Sequence, residues 1–357
     1  MIYRGAELYN VTELLEGDLR AVLGPEAMAM LGEPGLLPWE TRPGASAEGL
    51  WLCRIPDSLR RSLHPRGQIA ALQATGAEVR FNLRGGSASL TLKAMQKPAV
   101  VEVWQGPFFV DAHVVQTEPT SIRVALPEHQ PMLEEAAREQ PLPFAPSLTR
   151  IVLPWRPAVK LIGFEGDAAP PLPEQTPRRR YLAYGSSITH GSLSVRPTAT
   201  FAQRCARRLG VDLLNMGFGG GAKLEPEMAA YLAARPDWDF ATLELGINLV
   251  DHVDAGQFER LVDAFVEKIV RSNPAKPIFC IDLFPCRQER RDPKRVARFR
   301  QVVREKVESL RSARVTHLSG PSLLEGFADL SADLLHPSPA GMEQIGERLA
   351  ARVKERL

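Results

Sequence analysis

Four short stretches hold residue types that acyl-transfer chemistry needs. In "YGSSITHG" (184–191), Ser187 follows an apolar run at the point where a strand would end. A serine hydroxyl is a poor nucleophile until a base takes its proton. "ADLLHPSPAG" (332–341) offers such a base, His336, with Asp333 three residues before it. On a tight turn that spacing puts carboxylate and imidazole on one side. Asp333 would then accept from one ring nitrogen and leave the other to face Ser187. Attack on an ester creates an oxyanion, which needs donors aimed at it. The candidates are the Ser187 N–H, the side-chain amide of Asn248 in "LGINLV" (245–250), and the N–H of a glycine within 217–221 of "NMGFGGGAK" (215–223). Each element has a bland reading alone: a flexible turn, a helix cap beside an ordinary histidine, a capping Asn, a tight strand-to-helix turn. Their joint occurrence, each after a candidate strand, favours the catalytic reading.

The elements that must position these residues lie in the second half. Apolar runs "YLAYG", "VDLLNMG", "FATLELG", "PIFCIDLF" and "RVTHLSG" alternate with helical patterns near 199–209, 225–234, 256–272, 291–312 and 338–355. Strand–helix alternation predicts a parallel sheet covered on both faces, with ligands beyond the carboxyl ends of its strands. In the 291–312 helix, Val296, Phe299, Val303, Val307 and Leu310 form an apolar stripe, and its arginines read as a solvated face. The first half differs. Residues 77–93 alternate with period 2 on both sides of Gly85-Gly86, which predicts a hairpin there. Further strand-like runs and sparse helical signals, apart from "PMLEEAAREQ", predict a β-sandwich. The expected organisation is a β-sandwich at 1–165, a Pro-rich linker at 166–179 and a catalytic unit at 180–357.

Composition excludes several classes. A formal net charge of +2 gives no field toward nucleic acid or anionic lipid. No segment approaches 18 apolar residues, and the N-terminal stretch lacks an apolar run after a basic start, so neither a membrane span nor a signal peptide is expected. The four cysteines are scattered without CxxC spacing, which speaks against zinc and disulfides. No cofactor or metal is expected, and the cytoplasm is the expected location. Oligomeric state is not legible.

In order, the blocks Gly185-Ser186-Ser187-Ile188-Thr189, "NMGFGGGAKLEPEMA", Gly246-Ile247-Asn248 and Asp333-Leu334-Leu335-His336-Pro337 resemble those of the SGNH (GDSL-type) hydrolase superfamily. The resemblance covers roughly 180–357. It implies a three-layer α/β/α flavodoxin-like fold, Ser187 as nucleophile, Asp333 and His336 completing the triad, and an oxyanion hole of Ser187, Gly220 and Asn248. Two departures stand out: Ser186 replaces the usual Asp, and Leu334 replaces a common Gly. The first half more loosely resembles the jelly-roll-like sandwich preceding the catalytic domain in some two-domain SGNH esterases. That implies an esterase for short acyl groups, acetyl first, on small-molecule or carbohydrate esters.

Three rivals stand beside this reading. The same site could pass its acyl group to another alcohol, as an acyltransferase. The chain could be a non-catalytic carbohydrate-binding protein. Finally, Gly217-Phe218-Gly219-Gly220-Gly221-Ala222 fits G-x-G-x-x-A, with Glu244 about twenty residues on, as in a dinucleotide fingerprint. Against it, Glu225 sits where a pyrophosphate would bind. His190 and Phe218 are candidates to line the pocket, though Phe218 packs as readily in the core. Trp104 and Trp155 read as a sugar-stacking platform or as sandwich core. His64, His113, His129, His252 and His317 have no ligand-like spacing.

Overall fold

The structure is a computed structural model and describes residues 1–32, 47–140 and 142–357. The part of the expected sandwich at 33–46 lies outside the described residues. Five parallel strands form the second-half sheet, in the order 212–217, 180–185, 240–244, 278–281, 315–318. Four of them are buried almost throughout, because the sheet is covered on both faces, whereas the edge strand 315–318 leaves Thr316 and His317 half-buried. Helices 226–234, 255–272 and 293–309 share one core cluster with it, and helices 201–209 and 339–354 share the other. In helix 293–309, Val296, Phe299, Val303 and Val307 of the expected stripe are buried, together with Val302, while Leu310 caps the helix and is half-buried.

Among the described residues the first half holds ten antiparallel strands, joined through the 17-residue strand Glu78–Ala94. Its first part pairs with 7–9 and 149–152; its second part pairs with 120–124 and 159–166. The apolar faces of both parts enter one core around Phe81, Leu90, Leu92, Val101 and Phe164. The hairpin expected at Gly85-Gly86 is therefore wrong. The chain continues straight through, with a register shift against Gly166–Ala168. The apolar alternation changes phase there because a bulge, like a hairpin, switches which side chains point inward. Pairing partners come from distant strands, which local periodicity does not reveal.

Sequence also missed helices at 57–62 and 65–71. Both begin with proline signals: Pro56 is the N-cap of the first and Pro65 opens the second. With Trp51, Ile69 and Leu72, they pack into the same cluster as Leu182, Tyr184, Met216 and Phe218. The largest core thus draws on both halves of the chain. The strand 159–169 runs into the expected linker, and the strap after it is pinned. Gln175 donates to Ser147 Oγ (2.9 Å) and Asn82 Oδ1 (2.8 Å).

A buried ionic lattice also joins the halves. Arg80 donates to both Asp212 oxygens at 2.7 Å and to Glu78 at 2.8 Å, and Arg150 Nε donates to Glu78 at 2.7 Å. Burial alone would raise the Glu78 pKa, but Arg150 and Arg80 hold it well below the usual carboxylate range. A depressed carboxylate contributes stability that is present above its unfolded pKa and lost as pH falls through the folded one. The midpoint of urea unfolding should therefore drop on acidification below about pH 4.5. Glu78→Gln should flatten that acid limb.

Candidate active site

All four motif regions meet at the carboxyl edge of the parallel sheet. Strand Arg180–Gly185 ends in a sharp turn that Ser186 caps, its Oγ accepting from Ile188 N at 3.1 Å. Ser187 then opens a four-residue helix closed by Gly191 at φ 105°. Beneath this turn lies Glu244, at the end of the neighbouring strand. Its Oε2 accepts from Ser186 N (2.7 Å) and Thr189 Oγ1 (3.0 Å). Burial raises the Glu244 pKa, against the hydrogen bonds it accepts from Ser186 and Thr189. The Glu244 carboxyl group thus supports the Ser187 turn, in which Ser186 stands where the resembled block carries Asp.

The histidine comes from the loop before helix 339–354. Asp333 builds its own turn: Oδ1 accepts from Leu335 N and His336 N, both at 3.0 Å. Its other oxygen, Oδ2, accepts from His336 Nδ1 at 2.6 Å. Burial alone would raise Asp333, but the donations from His336 and Leu335 hold it below the ordinary carboxylate value. With Nδ1 donating, Nε2 is the acceptor, and it lies 2.8 Å from Ser187 Oγ. Leu334 sits at φ 52°, in the region that favours glycine, which costs about 1 kcal/mol. Its backbone C=O accepts from Arg287 N at 2.6 Å.

The glycine run wraps the other side of Ser187. Gly217 leaves no room for a side chain, since a Cβ there would lie 2.3 Å from His190 N. The N–H groups of Gly217, Phe218 and Gly221 are taken by Asn215 Oδ1, Gly185 O and Phe218 O. Gly220, at φ 73°, lines the cavity with Gly219 and Asn248. Asn248 is held by Lys223, whose Nζ donates to its backbone C=O at 2.6 Å, and its Nδ2 lies 3.4 Å from Phe218 O. Ser187, Gly220, Asn248 and His336 all line one cavity of about 270 Å³.

His190 also lines that cavity, but it is fully buried and structural. Burial, aided by Arg54, lowers its pKa to about 3, so the ring is neutral. Its two ring nitrogens face carbonyls, Nε2 to Trp155 O at 2.9 Å and Nδ1 to Gly217 O at 3.0 Å, and Nδ1 also lies 3.4 Å from Gly219 N. Phe218 does not line the cavity. Its ring is buried in the core against Tyr184, with the Arg54 guanidinium 4.8 Å above it, so that expectation is corrected. The two tryptophans separate: Trp155 lines the cavity, whereas Trp104 lines a different cleft with Phe144 and Arg207.

The first half supplies four more wall residues: Arg66, Gln73, Trp155 and Arg156. It also supplies the support of the glycine loop. Arg54, fully buried, donates to Gln73 O (2.7 Å), Asn215 O (2.9 Å), Ala70 O (2.8 Å) and Gly217 O (2.8 Å). Burial lowers its pKa to about 10, still cationic at neutral pH. Sequence offered no signal for Arg54, Arg66, Arg156 or Arg287, since an isolated arginine carries no pattern. The dinucleotide reading fails on geometry. Glu225 accepts from His64 N and Lys223 N at the start of helix 226–234, and Glu244 is spent on the serine turn. Among the described residues, no cluster of three or more His, Cys, Asp or Glu side chains could hold a metal. All four cysteines are buried and free. No helix among the described residues is long and apolar enough to cross a membrane.

A parallel α/β unit with serine, glycine, asparagine and histidine gathered at its strand ends defines a class, the SGNH hydrolases. Residues 183–344 match the GDSL-like Lipase/Acylhydrolase family, and this part of the chain belongs to it. No curated protein sequence matches significantly. Among solved structures, the salicylyl-acyltransferase SsfX3 from a tetracycline biosynthetic pathway is similar over 99% of this chain and 95% of its own, at 18% identity and TM-score 0.75. A family two carbohydrate esterase from Clostridium thermocellum, solved with cellohexaose, is similar over 80% and 93%, at 18% identity and TM-score 0.54. A carbohydrate esterase family 2 enzyme from Corynascus thermopiles (Myceliophthora fergusii) covers 80% and 95%, at 17% identity and TM-score 0.58. At these identities the likeness is one of fold.

Proposed function

We propose that the chain is a serine esterase that hydrolyses short-chain acyl esters, acetyl first, through an acyl-enzyme on Ser187. The observation that carries this is the unbroken relay from Ser187 Oγ to His336 Nε2 (2.8 Å) and from Nδ1 to Asp333 (2.6 Å), open to a cavity of about 270 Å³. His336 takes the hydroxyl proton as Oγ bonds the carbonyl carbon, and Asp333 stabilises the imidazolium that forms. The Ser187 and Gly220 N–H groups and the Asn248 amide hold the oxyanion. His336 then returns the proton to the departing alcohol, and water repeats the sequence on the acyl-enzyme. Every proton in this scheme moves between side chains and substrate, so it calls for no cofactor.

The cavity size supports a small acyl group. The fold likeness to carbohydrate esterases and Trp155 in the wall support a sugar alcohol. The strand order and two core clusters support a three-layer flavodoxin-like reading of 180–357. The shared strand 78–94 and its single core support a jelly-roll-like reading of 1–165, followed by the strap 166–179. The full-length likeness to an acyltransferase keeps transfer to a second alcohol as the alternative.

Hydrolysis of p-nitrophenyl acetate, butyrate and octanoate tests the main reading. Rates should fall with chain length, and a steep preference for octanoate would overturn the short-acyl assignment. Added alcohols that divert product from free acid to new ester would establish transfer. Asn248→Ala should lower turnover by roughly 10²–10³-fold, the usual loss for one oxyanion donor. Wild-type turnover in that variant would remove Asn248 from the oxyanion hole.

A further inference from the structure

Three guanidinium groups line the cavity, those of Arg66, Arg156 and Arg287, and no carboxylate lines it among the described residues. Arg66 stands on the oxyanion side: a Cβ on Gly220 would come within 2.8 Å of Arg66 Cδ. Arg156 lies near it, and both engage other groups of the chain. Arg287 stands on the opposite side, against the histidine loop. Its N–H donates to Leu334 O, and Nη1 lies 3.4 Å from Asp333 O. Its Nε is buried without an acceptor among the described residues. A buried, unpaired donor on a charged group is costly, and folded proteins rarely leave one.

We propose that Arg287 recognises an anionic group, carboxylate or phosphate, on the alcohol half of the ester. The inference rests on the esterase reading. His336 Nε2 hands its proton to the departing alcohol, so the alcohol lies on the His336 side of the cavity, where Arg287 is. In that reading the carbonyl oxygen faces the Gly220 and Asn248 donors. A planar guanidinium matches either anion with two parallel hydrogen bonds, and the half-buried Arg287 side chain can offer only its terminal Nη groups to the cavity. Arg66 and Arg156 add to a positive field that draws the same substrate in. The substrate class is therefore an acyl ester of an acidic alcohol, such as an acylated hydroxy acid, uronate or sugar phosphate.

The test compares kcat/KM for phenyl acetate, 4-acetoxybenzoate and 4-acetoxyphenyl phosphate, in wild type and Arg287→Gln. At low ionic strength an anionic ester should be preferred by about tenfold or more, mainly through KM, and salt should erode the preference. Which of the two anions is preferred separates carboxylate from phosphate. In Arg287→Gln the ratio of anionic to neutral ester should collapse toward parity. If that variant misfolds, the size and salt dependence of the wild-type preference decide. A wild-type preference for phenyl acetate, a preference retained in the variant, or a charge preference found only on the acyl half (phenyl hemisuccinate) would overturn the proposal. Cleavage of phenyl acetate without anion preference sinks this inference and spares the esterase. No cleavage of any ester, with no labelling of Ser187 by a fluorophosphonate, sinks both.

Discussion

Ser187→Ala is expected to lower kcat for p-nitrophenyl acetate by on the order of 10⁴-fold or more, with little change in Tm. In the proposed mechanism the hydroxyl makes the covalent bond, and its side-chain partner among the described residues is His336. Removing it therefore leaves no structural donor or acceptor unpaired elsewhere. The neighbouring serine should behave in the opposite way. Ser186 Oγ caps the turn by accepting from Ile188 N, so Ser186→Ala should cost about 1 kcal/mol of stability and retain most activity. Parallel melting curves and initial rates for the two variants separate these roles. An active Ser187→Ala protein beside an inactive Ser186→Ala one would mean that the wrong serine has been assigned.

Arg54→Met is expected to destabilise the protein by about 3–5 kcal/mol, because it strips a buried cation from partners that cannot rehydrate. Methionine keeps much of the stem volume, so the loss isolates the hydrogen bonds rather than a cavity. Two of the four carbonyls Arg54 holds, Asn215 O and Gly217 O, belong to the end of strand 212–217, which leads directly into the turn carrying Gly220. A displacement of about 1 Å in a positioned group can cost 10²-fold in rate. The variant should thus lose kcat on the order of 10²-fold even well below its own Tm, with KM changed far less. A fall in Tm with kcat intact would make Arg54 a folding residue only.

The candidate site was legible in the sequence where it was local. Asp333 and His336 are three residues apart on a self-capping turn, Ser187 follows its strand directly, and the glycines cluster. The parallel strands were legible too, since burial on both faces makes most of them apolar runs; the edge strand 315–318 shows the weaker pattern, with Thr316 and His317 half-buried. What escaped depends on distance along the chain. Gly85-Gly86 looked like a hairpin because a bulge and a turn leave the same break in alternation. Phe218, beside the key glycines, looked like a pocket residue until the core claimed it. Glu244 looked like a ribose ligand because its true partners, Ser186 and Thr189, lie more than fifty residues away. The arginines of the wall and of the loop support carry no spacing signal at all. Their meaning exists only after the first half has folded onto the second.

The core shared by Trp51, Ile69, Tyr184 and Phe218, together with the wall residues from the first half, bears on how such a chain can change over generations. The proposed nucleophile and base, Ser187 and His336, sit in one stretch of the gene, and four residues of the cavity wall sit in another. Substitutions at Arg66, Trp155 or Arg156 can retune the choice of ester while the Ser–His–Asp machinery stays untouched. The two stretches are not interchangeable parts, however. Recombination that brought in a foreign first half would also have to bring a residue able to hold the four carbonyls that Arg54 holds. The halves must therefore be inherited as a pair, and new specificities in this lineage are expected to arise by point mutation rather than by exchange of modules.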